Sequence, residues 1–270
     1  MADTNKKLPM RRLFLDIETS PNLVWSWNIG SRIRLTDENI KAERQIICAA
    51  WKWEGKEAIQ YEHWGGGHND ERILRRVIPD LWKADEVVAH NGDSFDLRWL
   101  RTRALKFGFR FPYHVVSFDT LKAARRQFRL NSNKLDYIAR YLGLKQKTKV
   151  EYQLWKDVLS NVPGSLSRMI QYCQDDILVL EGVFEAIRGF CPPATHHGAT
   201  SHGPTYGCPN CGKLGQESLG SYSTPTGQIK HKRACSSCNQ QFVLTSTKLQ
   251  AWQQYSTAID LVAAAASKRP

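Results

Sequence analysis

An apolar run broken by two acids at alternating positions lies near the start of this chain: Leu13-Phe14-Leu15-Asp16-Ile17-Glu18-Thr19. Residues two apart on a strand point to the same face. Asp16 and Glu18 therefore project together, while Leu15 and Ile17 turn into a core. Paired carboxylates on such a strand repel each other, and a bound cation relieves the repulsion. The competing reading is a strand that emerges into solvent with both acids merely exposed. The segments that follow supply the partners a core strand needs. Residues 46–53 and 58–64 are predicted strands, close enough to the first to pair as an antiparallel meander. Helices are predicted over about 70–83, 95–107, 119–128, 134–142, 151–160 and 165–188, with short strands at 86–90 and 115–118. Residues 1–190 thus read as one mixed α/β domain.

Two further segments place acids where a cleft can form. His90-Asn91-Gly92-Asp93-Ser94-Phe95-Asp96 joins a strand to a helix, the place where α/β folds usually build their sites. Asp96 falls in the first helical turn. Asp93 is its rival, with a loop or capping role as the plain alternative. In the last long helix Tyr172 and Asp176 are four apart and share a face. Ile170, Cys173, Ile177, Leu180, Phe184 and Ile187 form a neighbouring apolar stripe that seats this helix. Tyr172 and Asp176 are left at its margin, and Asp175 points to solvent. Several acids converging on one cleft is what two-metal phosphodiester hydrolysis requires. The metals activate a water and neutralise charge on the leaving oxygen.

In order and spacing, these segments resemble the three exonuclease motifs of the DnaQ-like DEDD superfamily. Asp16 and Glu18 match Asp-x-Glu, Asn91, Phe95 and Asp96 match Asn-x3-Phe-Asp, and Tyr172 and Asp176 match Tyr-x3-Asp. Leu130–Gly143, with Ser132-Asn133-Lys134-Leu135-Asp136, is also similar to members of this group. Position 171 is Gln, where a His would mark the other subgroup. The chain therefore resembles the tyrosine (DEDDy) branch, which includes polymerase proofreading domains and relatives encoded by phages. The resemblance implies a ribonuclease-H-like mixed sheet flanked by helices, and a set of roles. Asp16 would bridge two Mg²⁺ or Mn²⁺ ions. Glu18 and Asp176 would hold the metal that carries the attacking water, with Glu18 near the 3′ end. Asp96 would anchor the second metal. Tyr172 would orient the water, since a phenol with a pKa near ~10 suits orienting better than proton abstraction. Asn91 and Lys134 would touch the nucleic acid.

The composition changes near Phe190. Residues 191–207 are rich in Pro, Gly, Ser, Thr and His, the make-up of a linker. Residues 208–246 hold Cys208-Pro-Asn-Cys211 and Cys235-Ser-Ser-Cys238, with 23 residues between the inner cysteines. Two such turns can close a tetrahedral four-thiolate zinc site, and a segment poor in large apolar residues needs such a staple. Disulfides or redox pairs are the alternative. The pattern resembles zinc ribbons and implies one structural Zn²⁺. Cys48, Cys173 and Cys191 are left as buried or idle thiols. His196, His197 and His202 read as solvated linker histidines, with metal binding as the rival role. Residues 247–270 form a tail whose Leu249, Trp252, Ile259 and Val262 fall at near-helical spacing, ending in Ser267-Lys268-Arg269-Pro270.

The net charge is +12, and residues 191–270 carry 7 basic against 2 acidic residues. Such a surplus favours polyanionic partners, above all nucleic acid; the alternative is a basic surface without a partner. Tyr222, Lys230, His231, Lys232, Arg233 and Phe242 suit phosphate contact and base stacking, or the surface of a purely structural ribbon. Lys145, Lys147 and Lys149 read as a solvated basic loop. No apolar run approaches the ~20 residues that span a bilayer, and the N-terminus has no signal-type segment. No membrane partner is expected, and the location expected is cytoplasmic, in a bacterium or an infected host cell. The function expected is a 3′→5′ exonuclease that prefers single-stranded DNA and releases 5′-mononucleotides. It would serve replication, repair or proofreading in trans, beside a polymerase or another replication protein, since the 270 residues hold no polymerase region. The alternatives are RNA 3′-end trimming by the same chemistry, or a non-catalytic nucleic-acid adaptor built on the ribbon.

Overall fold

The structure is a computed structural model that describes residues 10–30, 32–144, 150–201 and 203–266, with side chains up to residue 258. Lys145, Lys147, Lys149, His202 and residues 267–270 lie outside the described residues, as do the side chains of Ile259 and Val262. Contacts divide the chain into Arg11–Phe184 and a C-terminal unit that begins at Glu185 and includes Met10.

The first unit is built from β1 (Arg12–Thr19), β2 (Leu23–Val24), β3 (Ile40–Ala42), β4 (Ile46–Trp53), β5 (Gln60–His63), α1 (Glu71–Lys83), β6 (Glu86–Ala89), α2 (Asp96–Phe107), β7 (Val116–Asp119), α3 (Thr120–Gln127), α4 (Leu135–Tyr141), α5 (Gln153–Leu159) and α6 (Ser165–Ile187). Its five-stranded sheet runs β5-β4-β1-β6-β7. β1 pairs antiparallel with β4 and parallel with β6, so the expected meander of β1, β4 and β5 forms one half of a mixed sheet. The apolar runs explain this placement. β4 is buried from Ile46 to Lys52 and β1 from Arg12 to Leu15, which only central strands can be. In α1 the buried Ile73, Leu74, Val77, Ile78 and Leu81 recur at helical spacing and face the sheet.

α6 is seated by aromatic packing. Phe184 meets Phe14 edge-on at 5.6 Å and Phe118 at 4.9 Å between ring centroids, a geometry that adds about 0.5–1.5 kcal/mol per pair beyond area burial. Buried ions are matched. Arg103 donates to both carboxylate oxygens of Asp70 at 2.6 and 2.7 Å, and Asp70 Oδ2 also accepts the Ile46 backbone N–H at 3.0 Å. One carboxylate thus ties α2 and the start of β4 to the N-terminus of α1. Arg12 bridges Glu86 and Glu54 at 2.5 and 2.6 Å. Burial works against its charge, and the two carboxylates more than offset that. The small β2–β3 hairpin was not expected, because two and three residues carry no periodicity. The segment after β2 holds Trp25 at 66%, Trp27 at 101% and Ile29 at 98% exposure.

The C-terminal unit contains α7 (His197–Thr200), β8 (Gln216–Ser223), β9 (Ile229–Cys235), β10 (Gln241–Thr245) and α8 (Ser246–Ala266). Its antiparallel sheet runs β10-β9-β8. The stretch expected to be a linker is folded within this unit. Cys191 is buried and its carbonyl accepts Gln240 Nε2 at 3.3 Å, and the His197 backbone N–H donates to the Pro209 carbonyl at 2.7 Å. Composition marked flexibility there, but proline and glycine also suit a tightly turned path over a small core. The expected tail is α8, docked by Trp252 Nε1 on the Leu214 carbonyl at 2.8 Å. Among the described residues no helix is long and apolar enough to cross a membrane.

Candidate active site

Asp16 and Glu18 are the half-buried positions of β1, with Ile17 buried between them on the other face. Asp176 arrives from α6 and is buried. Ligand oxygens of Asp16, Glu18 and Asp176 all lie within 4.8 Å of one another. Asp96, at the first turn of α2, is 2% exposed, and its Oδ1 accepts the Ile17 backbone N–H at 3.0 Å. That bond pins the start of α2 to the strand bearing Asp16 and Glu18. Tyr172 is one helical turn before Asp176, buried, with its ring edge-on to Trp155 of α5 at 6.2 Å.

The electrostatics follow from this crowding. Burial first, then the charges of Asp176, Asp96 and Glu18, push the Asp16 carboxyl well above its usual range. Burial pushes Asp96 up to about 7, against the hydrogen bonds of its own and the Ile17 N–H, and Asp119 adds to the rise. Acids crowded this closely raise the Asp16 carboxyl, and an all-oxygen cluster of this spacing fits hard divalent cations. Cys173 is not idle: its Sγ lies 3.3 Å from Asp16 Oδ2 and 3.5 Å from the Asp16 carbonyl.

The turn between β6 and α2 depends on close approach. Asn91 adopts a positive φ of 67°. A Cβ on Gly92 would sit 2.4 Å from the Cβ of Ala89, so only glycine fits. Asp119, not among the acids expected in the cleft, organises this turn. Its carboxylate accepts the backbone N–H of Asn91 at 3.1 Å and Asp93 at 3.3 Å, and caps α3 through Leu121 and Lys122 at 2.9 and 3.2 Å. An acid at a strand end just before a helix was the available signal. Asp93 pairs with Lys122 at 2.6 Å. The cleft above the carboxylates has a volume of about 540 Å³, and Asn91 and Lys134 line it with Asp16 and Asp176. Asn133, from the segment around Lys134, also lines it, and so does Arg125 of α3, which was missed. An exposed Arg on a short helix has no sequence signature of its own.

A family model described as RNase_H superfamily matches residues 36–188, more than half of the chain. The chain belongs to the RNase H superfamily. The mixed sheet flanked by helices is the expected RNase H-like fold, and Asp96, Tyr172 and Asp176 lie inside the matched span, while Asp16 and Glu18 precede it. A DNA polymerase of Methanocaldococcus jannaschii is 25% identical over 80 residues, 28% of this chain and 5% of that protein. The structure of the family B DNA polymerase from the hyperthermophilic archaeon Pyrobaculum calidifontis matches this RNase H superfamily chain with a TM-score of 0.52 at 19% identity. That match covers 67% of this chain and 25% of that one, and it speaks for the fold.

The C-terminal unit holds a second cluster. The sulfurs of Cys208, Cys211, Cys235 and Cys238 all lie within 4.8 Å of one another. Cys208–Cys238 and Cys211–Cys235 are each 3.6 Å apart, far from the ~2.05 Å of a disulfide. A tetrahedron of thiolates about 2.3 Å from zinc has sulfurs roughly 3.8 Å apart, so the donor set fits Zn²⁺. The Cys208 thiol, donating to Cys211, holds Cys211 down to about 4 and is itself raised. Of the histidines expected to be solvated, His196 and His197 are engaged. His196 Nδ1 accepts the Gly198 N–H at 3.1 Å, and His197 is buried, with Nδ1 3.1 Å from Ser201 Oγ. Lys232 is exposed and Lys230 half-buried. Arg233, expected to contact nucleic acid, is instead buried. Its guanidinium donates to Gln216 Oε1 at 3.1 Å and the Gln216 carbonyl at 3.3 Å, and lies 4.6 Å over the Trp252 ring. Those partners come from β8 and α8, which nothing local to Arg233 announces.

Proposed function

We propose that the acidic cleft hydrolyses phosphodiester bonds at the 3′ end of single-stranded DNA and releases 5′-mononucleotides, using two Mg²⁺ or Mn²⁺ ions. The observation that carries this reading is convergence: the oxygens of Asp16, Glu18 and Asp176 lie within 4.8 Å of one another. Bound there, two divalent cations would supply an activated water and neutralise charge on the leaving oxygen. The chain's own residues would do the rest. Asp16 would serve both ions, Glu18 and Asp176 one of them, and Asp96, anchored by the Ile17 N–H, the other. Tyr172, its ring set against Trp155, would aim its hydroxyl at the water. Lys134, Arg125 and Asn91 line the cleft and would hold phosphate and sugar. A 3′ end is favoured over an internal bond because the residues follow the DEDDy pattern, and because a cleft of about 540 Å³ suits one or two nucleotides. The four cysteines would hold one Zn²⁺ as a structural staple. The likeness to parts of two archaeal DNA polymerases supports a role beside a polymerase, in replication, repair or proofreading.

The test is purified protein with Mg²⁺ on 5′-labelled single-stranded DNA and RNA of equal sequence. The expected result is a ladder that shortens from the 3′ end of DNA, with 5′-mononucleotide as product. Internal cuts, faster loss of RNA, or no cleavage of either overturns the reading.

A further inference from the structure

The C-terminal unit has a groove of its own, of about 700 Å³. It is lined by residues of all three strands, among them Tyr222, Lys232, Arg233 and Val243. The β8–β9 register sets Tyr222 opposite Lys230, and the β9–β10 register sets Val243 opposite Lys232. Alternate residues of a strand share a face, so these four side chains stand on the same side. Lys232 Nζ lies 5.5 Å from the centre of the Tyr222 ring. The segment from Pro192 to His196 forms the wall. Tyr222 is 43% and Val243 48% exposed, so aromatic and aliphatic surface faces the opening.

Charge indicates what fits. From residue 191 to 258 the chain has Lys213, Lys230, Lys232, Arg233 and Lys248 against one acid, Glu217. Among the described residues no carboxylate lines the groove. An acidic, apolar-poor ligand would use the lysines and leave the ring idle, whereas a nucleotide uses both. Its base stacks on an aromatic face whatever its identity, and its phosphate takes the neighbouring cation. An open sheet face bearing an exposed ring is a platform for unstacked bases, and a duplex keeps its bases out of reach of such a face. The volume suits one or two nucleotides.

We propose that this groove is a second nucleic-acid site, without catalytic groups, that holds unpaired nucleotides of a single strand: Tyr222 stacks a base and Lys232 takes the neighbouring phosphate, with Lys230 adding positive charge on the same sheet face beside the groove. Arg233 also lines the groove, and its guanidinium, bonded to Gln216 of β8 and set over Trp252 of α8, braces the site. The site's occupancy does not depend on which polymer the acidic cleft cuts.

The test uses the full-length, zinc-loaded chain with Asp16→Ala, so that bound strands persist, and a thirty-nucleotide oligothymidylate probe carrying 5-iodouracil. Ultraviolet crosslinking should attach the probe to Tyr222 as well as to the acidic cleft. Adding Tyr222→Ala should weaken binding about five- to a hundredfold, and Tyr222→Trp should restore it. Lys232→Gln should lower the slope of log affinity on log salt by about 0.7. Crosslinks confined to Arg11–Phe184, or binding curves that superimpose on the parent's, overturn the proposal. So does polyglutamate that displaces the probe as well as unlabelled oligothymidylate does, because the groove then binds any acidic polymer. If Tyr222→Ala releases zinc, the Lys232→Gln slope and the crosslink in the parent decide. All these readouts are of binding, so failure of the unsubstituted protein to cleave DNA would sink the exonuclease reading and leave this one standing.

Discussion

Asp16 sits where burial and three other acids raise its carboxyl, so a cation bound there would relieve that crowding. Asp16→Ala should abolish nuclease activity while the melting temperature stays within a few degrees of the parent, because losing the shared ligand dismantles both metal positions. Cleavage at near the parent rate by the folded variant would remove the assignment. Tyr172→Phe should slow single-turnover hydrolysis by roughly ten- to a thousandfold without loss of metal affinity, since only the orienting hydroxyl goes. Unchanged rates would leave Tyr172 as a packing partner of Trp155. The Asp96 carboxyl, raised to about 7, also predicts a pH effect. Folded protein holds that proton more tightly than unfolded chain does. The stability this carboxyl contributes is therefore full below about pH 4 and is lost as pH rises through about 7. In magnesium-free buffer the loss should be roughly 1–4 kcal/mol, and Mg²⁺ should raise the melting temperature more at pH 8 than at pH 5. Equal shifts at both values would mean that the carboxyls are not coupled to a cation.

At the scale of elements, the turn from β6 to α2 is the most constrained piece of the site. It places Asn91 and Asp96, is held by Asp119, and touches Ala89 at Gly92. A methyl group at Gly92 meets the Ala89 methyl at 2.4 Å, a contact that something must give way to. Gly92→Ala should cost about 1–3 kcal/mol of stability and cut activity more than stability alone explains, because the start of α2 shifts with Asp96. Ala89→Gly in the same chain should restore much of both, as it removes the clashing atom. Thermal melts and nuclease rates of the three variants check this. A double variant as impaired as Gly92→Ala would show that the contact is not the cause.

For the whole molecule, the separation into two units has a consequence for metal removal. The four cysteines and their sheet lie in the C-terminal unit, while Asp16, Glu18, Asp96, Tyr172 and Asp176 lie within Arg11–Phe184. We expect one Zn²⁺ per chain. Its extraction should unfold the ribbon, whose core is too small to stand without a staple, and leave a second, separate melting transition. Cleavage of short oligonucleotides, restored by adding back Mg²⁺ alone, should survive. Calorimetry with and without a zinc chelator tests this, and a single transition that vanishes with zinc would mean that the two units fold as one.

The sequence by itself determined what backbone periodicity determines. Alternation on a strand put Asp16 and Glu18 on one face, helical spacing joined Tyr172 to Asp176, and each CxxC turn brought its own two cysteines together. These relations are local consequences of two- and 3.6-residue repeats and of tight turns, and they need no knowledge of distant chain. Only the tertiary structure decided which polar groups found partners inside the protein. Asp119 became the organiser of a turn 26 and 28 residues away. Arg233 was taken up by Gln216 and Trp252, and residues 191–207 closed over the ribbon instead of spanning free. The physical reason is burial: once a polar group leaves water it must be satisfied by whatever packing brings near, and that neighbour is written in no single segment of the chain.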